Sequence, residues 1–176
     1  MTVSPVITTP RLVLRTPVEA DWPAVSDYMR SSRTRFTGGP TASEFDRWRG
    51  FLASIGHWTL RGYGFFMVLK GDMPVGRVGL IYHSMWREPE LGWNLFDGHE
   101  GQGYATEAAL AVRGWAYETL GMGALISQIH PENTGSIRVA ERLGATRESE
   151  GELLGEPCLV YRHPAPDADG SPEAYA

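Results

Sequence analysis

The segment GHEGQGYATEA, residues 98–108, places three glycines within six residues, between two different hydrophobic patterns. Residues 88–96 before it are typical of a β-strand, and residues 103–120 after it repeat apolar side chains at helical spacing. Glycine in ordered structure is costly unless the backbone needs a positive φ or lies close to another group. The segment therefore predicts a strand, a tight glycine loop and a helix in direct succession.

The local sequence leaves two interpretations of this loop open. A helix start leaves about four backbone N–H groups without partners and carries a partial positive charge, so small residues there let a phosphate approach. Gly101, Gly103 and Ala105 would supply that openness; alternatively, the glycines serve only the dihedral angles of the turn. The spacing matches neither a Walker loop nor the G-x-G-x-x-G of dinucleotide-binding folds, and no carboxylate ends the following strand at 128–130.

The remaining patterns predict a single mixed α/β domain over residues 1–163, in which antiparallel strands precede a β-α-β unit. Ser43 is expected to cap the second helix and Gly56 to end it. Residues 164–176, rich in Pro, Ala and Asp, are predicted to form a disordered tail. The predicted strands are 11–15, 63–69, 74–83, 88–96, 123–130, 145–151 and 157–163, and the predicted helices lie within 18–32, 43–56, 103–120 and 133–144.

Composition excludes several functional classes. The net charge of −5 argues against general nucleic-acid binding, which depends on Lys and Arg neutralising phosphates. No apolar run is long enough to span a membrane, and the first residues do not resemble a signal peptide, so we expect a cytoplasmic protein. The single cysteine, Cys158, cannot form an internal disulfide or a cysteine zinc site, and we expect it to be a buried strand residue and no metal to be bound.

Two central motifs resemble the GNAT superfamily of N-acetyltransferases, in particular its RimJ/RimL-type branch. They are ELGWNLFDGHEGQGYATEA at 90–108 and HPENTGSIRVAERLGA at 130–145, and the opening TPRLVLRTPVEAD at 9–21 is similar to the first strand and turn of that branch. The resemblance covers about residues 8–162. It implies a central, mostly antiparallel sheet of about seven strands with about four helices, splayed between the fourth and fifth strands.

The resemblance also implies a site for acetyl-CoA as co-substrate. In this family the N–H groups of the glycine loop hold the pyrophosphate, the preceding strand end aligns the pantetheine arm, and an Asn after the next strand hydrogen-bonds that arm. Glu100 departs from the family's Gln or Arg at the first loop position, so we expect its side chain to face solvent. The implied cofactor-binding residues are Leu95, Phe96, Asp97, Gly101, Gln102, Gly103, Tyr104, Ala105, Thr106 and Asn133.

The implied reaction moves an acetyl group to a primary amine by direct attack in a ternary complex. Glu90 is the candidate general base, with a surface carboxylate or a partner for Arg77 as the other interpretations. Ser136 is the candidate donor to the CoA sulfur, or else a small residue packing near the arm. His83 and His130 are further candidate bases. Gly92, in the strand of Glu90, is read either as a bulge or as a glycine packed against Trp58 or Trp93.

The resemblance does not determine the acceptor. A protein N-terminus or a small-molecule amine both fit, and the 30–40 loop, helix 43–56 and the segment near 83–88 are expected to select between them. The expected partner is therefore a small-molecule amine or a protein N-terminus, without nucleic acid or membrane, and a homodimer is compatible with the family. A non-catalytic CoA-binding or sensing domain of the same fold is the alternative function, whereas a nucleotide-binding oxidoreductase is disfavoured by the strand order.

Overall fold

The computed structural model describes residues 4–166. The predicted tail therefore lies outside the described residues from 167 onwards. The strands are β1 (Val6–Thr8), β2 (Val13–Arg15), β3 (Phe65–Lys70), β4 (Met73–Ile81), β5 (Glu90–Leu95), β6 (Ile126–Ile129), β7 (Thr146–Leu153) and β8 (Glu156–Arg162). The α-helices are α1 (Trp22–Arg30), α2 (Glu44–Arg61), α3 (Tyr104–Glu118) and α4 (Thr134–Arg142), with 3₁₀ turns at Glu19–Asp21 and Ser32–Thr34.

The eight strands of residues 4–166 form one sheet in the order β1-β2-β3-β4-β5-β6-β8-β7. Each neighbouring pair is antiparallel except β5 and β6, which are parallel. This confirms the predicted mixed α/β class. The sheet has one strand more than expected because the chain before residue 11 also pairs: Val6 lies opposite Arg15 in a short hairpin.

The parallel pair β5–β6 is joined at one registered position, where Glu90 lies opposite Ile126. The described register between the two strands stops there, whereas β4 stays paired with β5 as far as Leu95. We call the widening gap between β5 and β6 beyond Glu90 and Ile126 the fork. It is the splay that the sequence predicted between its fourth and fifth strands, and it leaves strand backbone available to a ligand.

The helices cover opposite faces of the sheet. The apolar side of α3, including Ala108 and Val112, packs on Phe66, Val78 and Leu80. The helices α1 and α2 cover the other face, where Val25 and Phe51 meet Met67 and Phe96. The chain therefore buries both faces of the central strands, as expected for a sheet that contains a β-α-β unit.

The prediction that α2 ends at Gly56 is wrong, because the helix continues to Arg61 and ends at Gly62 with φ of 74°. A left-handed residue after the last turn is the usual signal for a helix end, and Gly62 supplies it. Gly56 has open space around it and is tolerated inside the helix. Ser43 caps the helix as predicted, since its side chain accepts a hydrogen bond from the Asp46 N–H.

Gly92 is a packing glycine, but its neighbour differs from the two predicted. The register of β4 with β5 runs through it without a shift, so there is no bulge at this position. A Cβ at Gly92 would lie 2.9 Å from the ring of Phe65 rather than against Trp58 or Trp93. Glycine is therefore needed because an aromatic ring from β3 lies directly over the strand.

Candidate functional site

The glycine loop, residues 98–103, turns the chain from β5 into α3 with three left-handed glycines. The φ angles of Gly98, Gly101 and Gly103 are 81°, 72° and 80°. Gly103 is the N-cap residue of α3, and no side chain caps the helix. The first-turn N–H groups of α3 thus have no side-chain cap, and helix starts of this kind are able to bind anions.

The first turn of α3 is braced from the side by the β1–β2 hairpin. The carboxylate of Glu107 accepts hydrogen bonds from the Thr9 hydroxyl at 2.6 Å and from the Arg11 Nε at 2.6 Å. Burial raises the pKa of Glu107, but these hydrogen bonds outweigh it and the net pKa is lowered. Arg11 also donates to the carbonyl of Gln102 at 2.9 Å, which holds the loop backbone in place.

The other predicted loop residues are distributed between the interior and the surface. Tyr104 and Ala105 are buried, and the Tyr104 hydroxyl donates to Oε1 of Gln102 at 2.9 Å. A groove of about 840 Å³ runs past the loop, lined by Thr8, Thr9, Pro10, Gly101, Gly103, Thr106, Glu107, Leu110, Ala111 and Arg142. Its size is in the range of small-molecule sites.

At the end of β5, the three predicted residues have different surroundings. The N–H of Phe96 donates to the Val75 carbonyl at 2.9 Å, so its backbone is turned towards β4. Backbone groups alternate along a strand, and those of Leu95 and Trp93 therefore face the fork. The sequence analysis named Trp93 only as a possible neighbour of Gly92 and not among the cofactor-binding residues, although counting back two residues from Leu95 places it on the same side of the strand. Asp97 is exposed.

Asn133 and Ser136 lie at the start of α4, directly after β6. The Asn133 Oδ1 accepts the Ser136 N–H at 3.2 Å, so Asn133 is the N-cap. Both side chains are half-buried. Within residues 4–166, the Asn133 Nδ2 has no hydrogen-bond partner and is available as a donor. The two helix starts that follow β5 and β6, those of α3 and α4, thus stand at the open end of the fork.

Glu90 lies at the closed end of the fork and is 7% exposed. Its Oε1 accepts the backbone N–H of Gln128 at 2.9 Å, and its Oε2 accepts the Gln128 side-chain amide at 3.1 Å. Burial raises the pKa of Glu90 to about 7, against the opposing effect of these two hydrogen bonds. The interpretation as a surface carboxylate is wrong, and so is the pairing with Arg77, whose Nε instead donates to Asn94 at 3.4 Å.

A buried polar chain on the α3 face also crosses the closed end of the fork, and the sequence analysis did not find it. The Ser127 hydroxyl donates to the Leu91 carbonyl at 2.6 Å, so its oxygen accepts from Nε2 of His163 at 2.8 Å. The other ring nitrogen, Nδ1, then accepts from Arg113 at 3.4 Å. Burial, followed by the nearby Arg113 and Arg162, lowers the pKa of His163 to about 3, which keeps the imidazole neutral.

The connection between α1 and α2, residues 31–43, touches both sides of the open end of the fork. On the β5 side, the Arg33 Nε donates to the Leu95 carbonyl at 2.9 Å, and its guanidinium forms an ion pair with Glu100. On the β6 side, Phe36 stacks on His130 with 5.0 Å between ring centroids. Glu100 is exposed, as the sequence predicted, but it is also paired.

The other candidates have ordinary structural surroundings. Burial lowers the pKa of His83, whose ring packs against Trp86 with 4.6 Å between centroids. Cys158 is buried in β8, and burial raises the pKa of its thiol, which makes it a poor nucleophile.

Among residues 4–166, no group of three or more His, Cys, Asp or Glu side chains is placed to hold a metal ion. That same part of the chain contains no helix with the length and hydropathy of a membrane span.

A parallel strand pair that opens beside an uncapped, glycine-led helix is an arrangement that can accommodate an anionic cofactor. A model of the acetyltransferase (GNAT) domain family matches residues 11–146. The chain therefore belongs to the GNAT family of acetyltransferases, which confirms the resemblance of its central motifs.

Solved structures agree with this assignment. An acetyltransferase from Agrobacterium tumefaciens str. C58 is 39% identical, with a TM-score of 0.83 over 93% of this chain and 95% of that one. A putative ribosomal-protein-serine acetyltransferase from Vibrio cholerae is 27% identical, with a TM-score of 0.76 over 93% and 100%. RimL, a ribosomal L7/L12 α-N-protein acetyltransferase in complex with coenzyme A, shares the fold at 18% identity, with a TM-score of 0.75 over 90% and 96%. The Vibrio cholerae protein agrees with the RimJ/RimL-type branch.

Proposed function

We propose that this chain is an N-acetyltransferase that moves the acetyl group of acetyl-CoA to a primary amine, either a protein N-terminus or a small molecule. The observation that carries the proposal is the coincidence of three features at one place. Glu90 begins β5, the fork opens along that strand, and the uncapped start of α3 follows its end through the glycine loop.

The cofactor would be bound chiefly by backbone. We assign the diphosphate to the N–H groups of residues 101–106, where the left-handed glycines remove side chains from the approach. The amide groups of the pantetheine arm would pair with the fork-facing backbone of Leu95 and Trp93, much as an added strand pairs with a sheet edge. The Asn133 Nδ2 would donate to the same arm from the β6 side.

The reaction requires protein groups that accept a proton from the acceptor amine and stabilise the departing sulfur. A protein α-amine has a pKa near ~8 and a lysine near ~10.4, so the acceptor must lose a proton before its nitrogen attacks the acetyl carbon. We assign this proton to Glu90, because a carboxylate with a pKa of about 7 is suited to act as a base at neutral pH. After the attack the nitrogen still carries one proton more than the amide product. As the bond between the acetyl carbon and sulfur breaks, this proton would pass to the departing sulfur, and the Ser136 hydroxyl would donate a hydrogen bond to that sulfur.

Two measurements test the proposal. Calorimetric titration with acetyl-CoA tests the site, and release of free thiol across a panel of amines and short peptides with free N-termini tests turnover. Tight binding with turnover of at least one acceptor is expected. Binding without turnover of any acceptor would instead support the sensing domain, and the absence of binding would overturn both.

The role of Glu90 is tested with the variant Glu90→Gln, which keeps the shape and removes the base. A loss of roughly 10²–10⁴-fold in kcat is expected, as is typical for removal of a general base. Glu152→Gln, an exposed carboxylate on β7, is the matched control and should keep full activity. Equal activity of the two variants would show that Glu90 is structural only.

A further inference from the structure

Negative charge accumulates beside the proposed diphosphate site. Asp97 precedes the glycine loop and Glu100 lies within it, just before the N–H groups assigned to the diphosphate. Two carboxylates so close to an anionic ligand would repel it. At physiological ionic strength the Debye length is about 8 Å, so charges that lie closer than this are only partly screened. A cation beside these two carboxylates would therefore favour the binding of a diphosphate at this loop.

Arg33 is placed to supply that compensation. Its guanidinium forms an ion pair with Glu100, and its Nη1 lies 3.8 Å from the carboxylate of Asp97. The side chain is only 26% exposed, whereas the Asp97 side chain is 95% exposed. Both acidic groups therefore face one arginine that comes from a distant part of the chain.

The guanidinium is held in place rather than loosely tethered. Its Nε donates a hydrogen bond at 2.9 Å to the carbonyl of Leu95, which is the last residue of β5. The residue lies in the 3₁₀ turn Ser32–Thr34, whose N-cap Ser31 accepts the Arg33 N–H. Further along this connection, Phe36 stacks on His130 after β6. The connection that carries Arg33 is thus in contact with both sides of the fork.

These contacts remain compatible with a bound ligand. A carbonyl oxygen has two lone pairs, so Leu95 can accept from Arg33 and from a ligand amide together. A guanidinium presents five N–H donors, and those of Arg33 not used by Leu95 and Glu100 can be shared with a phosphate. A lysine could not make these contacts together, because its ammonium group lacks the planar set of N–H donors that a guanidinium has.

We propose that Arg33 is a positioning residue for coenzyme A, which neutralises Glu100 so that the glycine loop can accept a diphosphate. This inference rests on the proposed function, and it assigns Arg33 and Glu100 as a coupled pair. Loss of Arg33 alone leaves the Glu100 carboxylate uncompensated beside the ligand, which should weaken binding. Loss of both side chains removes this repulsion and also the arginine that neutralises it.

A double-mutant cycle tests the pair. CoA affinity is measured by calorimetry for the wild type, Arg33→Gln, Glu100→Gln and the double variant, with Arg30→Gln as control, because Arg30 pairs with Asp27 on the exposed surface of α1. Arg33→Gln is expected to weaken CoA binding roughly tenfold. The double variant should bind CoA more tightly than Arg33→Gln, because the carboxylate that Arg33 neutralises is then gone as well. The KM for acetyl-CoA should rise in Arg33→Gln while kcat at saturation stays unchanged.

A second probe separates charge from architecture. Pantetheine lacks the diphosphate, so its binding, followed by NMR titration, should be equal in wild type and Arg33→Gln. An equal loss for both ligands, or the same loss for Arg33→Gln with and without Glu100, would overturn the inference while leaving the proposed function intact. Failure of the wild type to bind CoA would overturn the proposed function and this inference with it.

Discussion

The carboxylate of Glu90 takes the place of a strand carbonyl opposite Gln128: its Oε1 lies 2.9 Å from the Gln128 backbone nitrogen. The N–H that would otherwise continue the parallel ladder therefore ends on a side chain. On the opposite face, the Ser127 hydroxyl satisfies the Leu91 carbonyl in the same manner. Two side chains thus replace the backbone hydrogen bonds where β5 and β6 separate.

Glu90 should make stability depend on pH in an unusual direction. Because burial raises its pKa from 4.5 to about 7, the folded protein favours the protonated carboxyl. Its contribution to the unfolding free energy is full below pH 4.5 and is lost as the pH rises through 7, by on the order of 3 kcal/mol. Urea denaturation of the wild type and Glu90→Gln at pH 4.5 and 8 measures this difference.

The comparison with Glu90→Gln is needed because His163 acts in the opposite sense. Its pKa of about 3 means that the folded state favours the neutral ring, so stability is lost as the pH falls from 6.5 towards 3. The difference between wild type and Glu90→Gln cancels this contribution. A difference that stays constant between pH 4.5 and 8 would contradict the assigned burial of Glu90.

Ser127→Ala should destabilise the fold by about 1–3 kcal/mol, because it leaves the Leu91 carbonyl and the His163 Nε2 without their partner. Thermal or urea unfolding measures the loss, and Ser149→Ala, at an exposed position of β7, is the matched control. CoA binding should also weaken, because the Ser127 side chain fixes the distance between the two strands. Unchanged stability would mean that the hydroxyl has no role in closing the fork.

Asn133→Ser separates the capping role of Asn133 from its proposed contact with CoA. Serine is about as good an N-cap as asparagine, so the unfolding free energy should change by only a few tenths of a kcal/mol. The Nδ2 donor is lost, and the KM for acetyl-CoA should rise several-fold. An unchanged KM would show that Asn133 serves only as the N-cap of α4. The variant Asn133→Ala, which removes the cap as well, should lower the unfolding free energy by about 1 kcal/mol.

Gly103→Ala should weaken CoA binding more than Gly98→Ala does. Both glycines have φ near 80°, so alanine imposes a similar backbone strain of about 1 kcal/mol at each. At Gly98 the new Cβ meets nothing within 4 Å, whereas at Gly103 it lies 3.3 Å from Arg11 and stands at the helix N-cap. Equal CoA affinity in the two variants, by calorimetry, would place the diphosphate away from α3.

The central elements could be predicted from the sequence because their signals are local. The glycine loop lies between a strand and a helix as expected, and the cap at Ser43 follows from a short-range hydrogen bond. The end of α2 was misplaced because a helix interior tolerates a glycine such as Gly56 when its surroundings are open. The left-handed turn at Gly62 was the stronger signal, only six residues further on.

What the sequence could not reveal depends on contacts between distant segments. Arg33 meets Glu100 only because the α1–α2 connection folds back over the end of β5. Likewise, His163 reaches Ser127 because β8 lies beside β6, and the Phe65 ring covers Gly92 because β4 lies between their strands. No spacing rule relates these residues, since each contact is set by the strand order.

The single registered pair between β5 and β6 has a mechanical consequence. It divides the sheet into a five-stranded part, β1 to β5, and a three-stranded part, β6 to β8, that meet at a narrow joint. A sheet with so few hydrogen bonds at one position bends there more easily than a continuous ladder does. A molecule bound between the two parts would therefore hold them in a fixed relative orientation. We expect the occupied protein to be stiffer across the whole sheet, including strands that the bound molecule never touches.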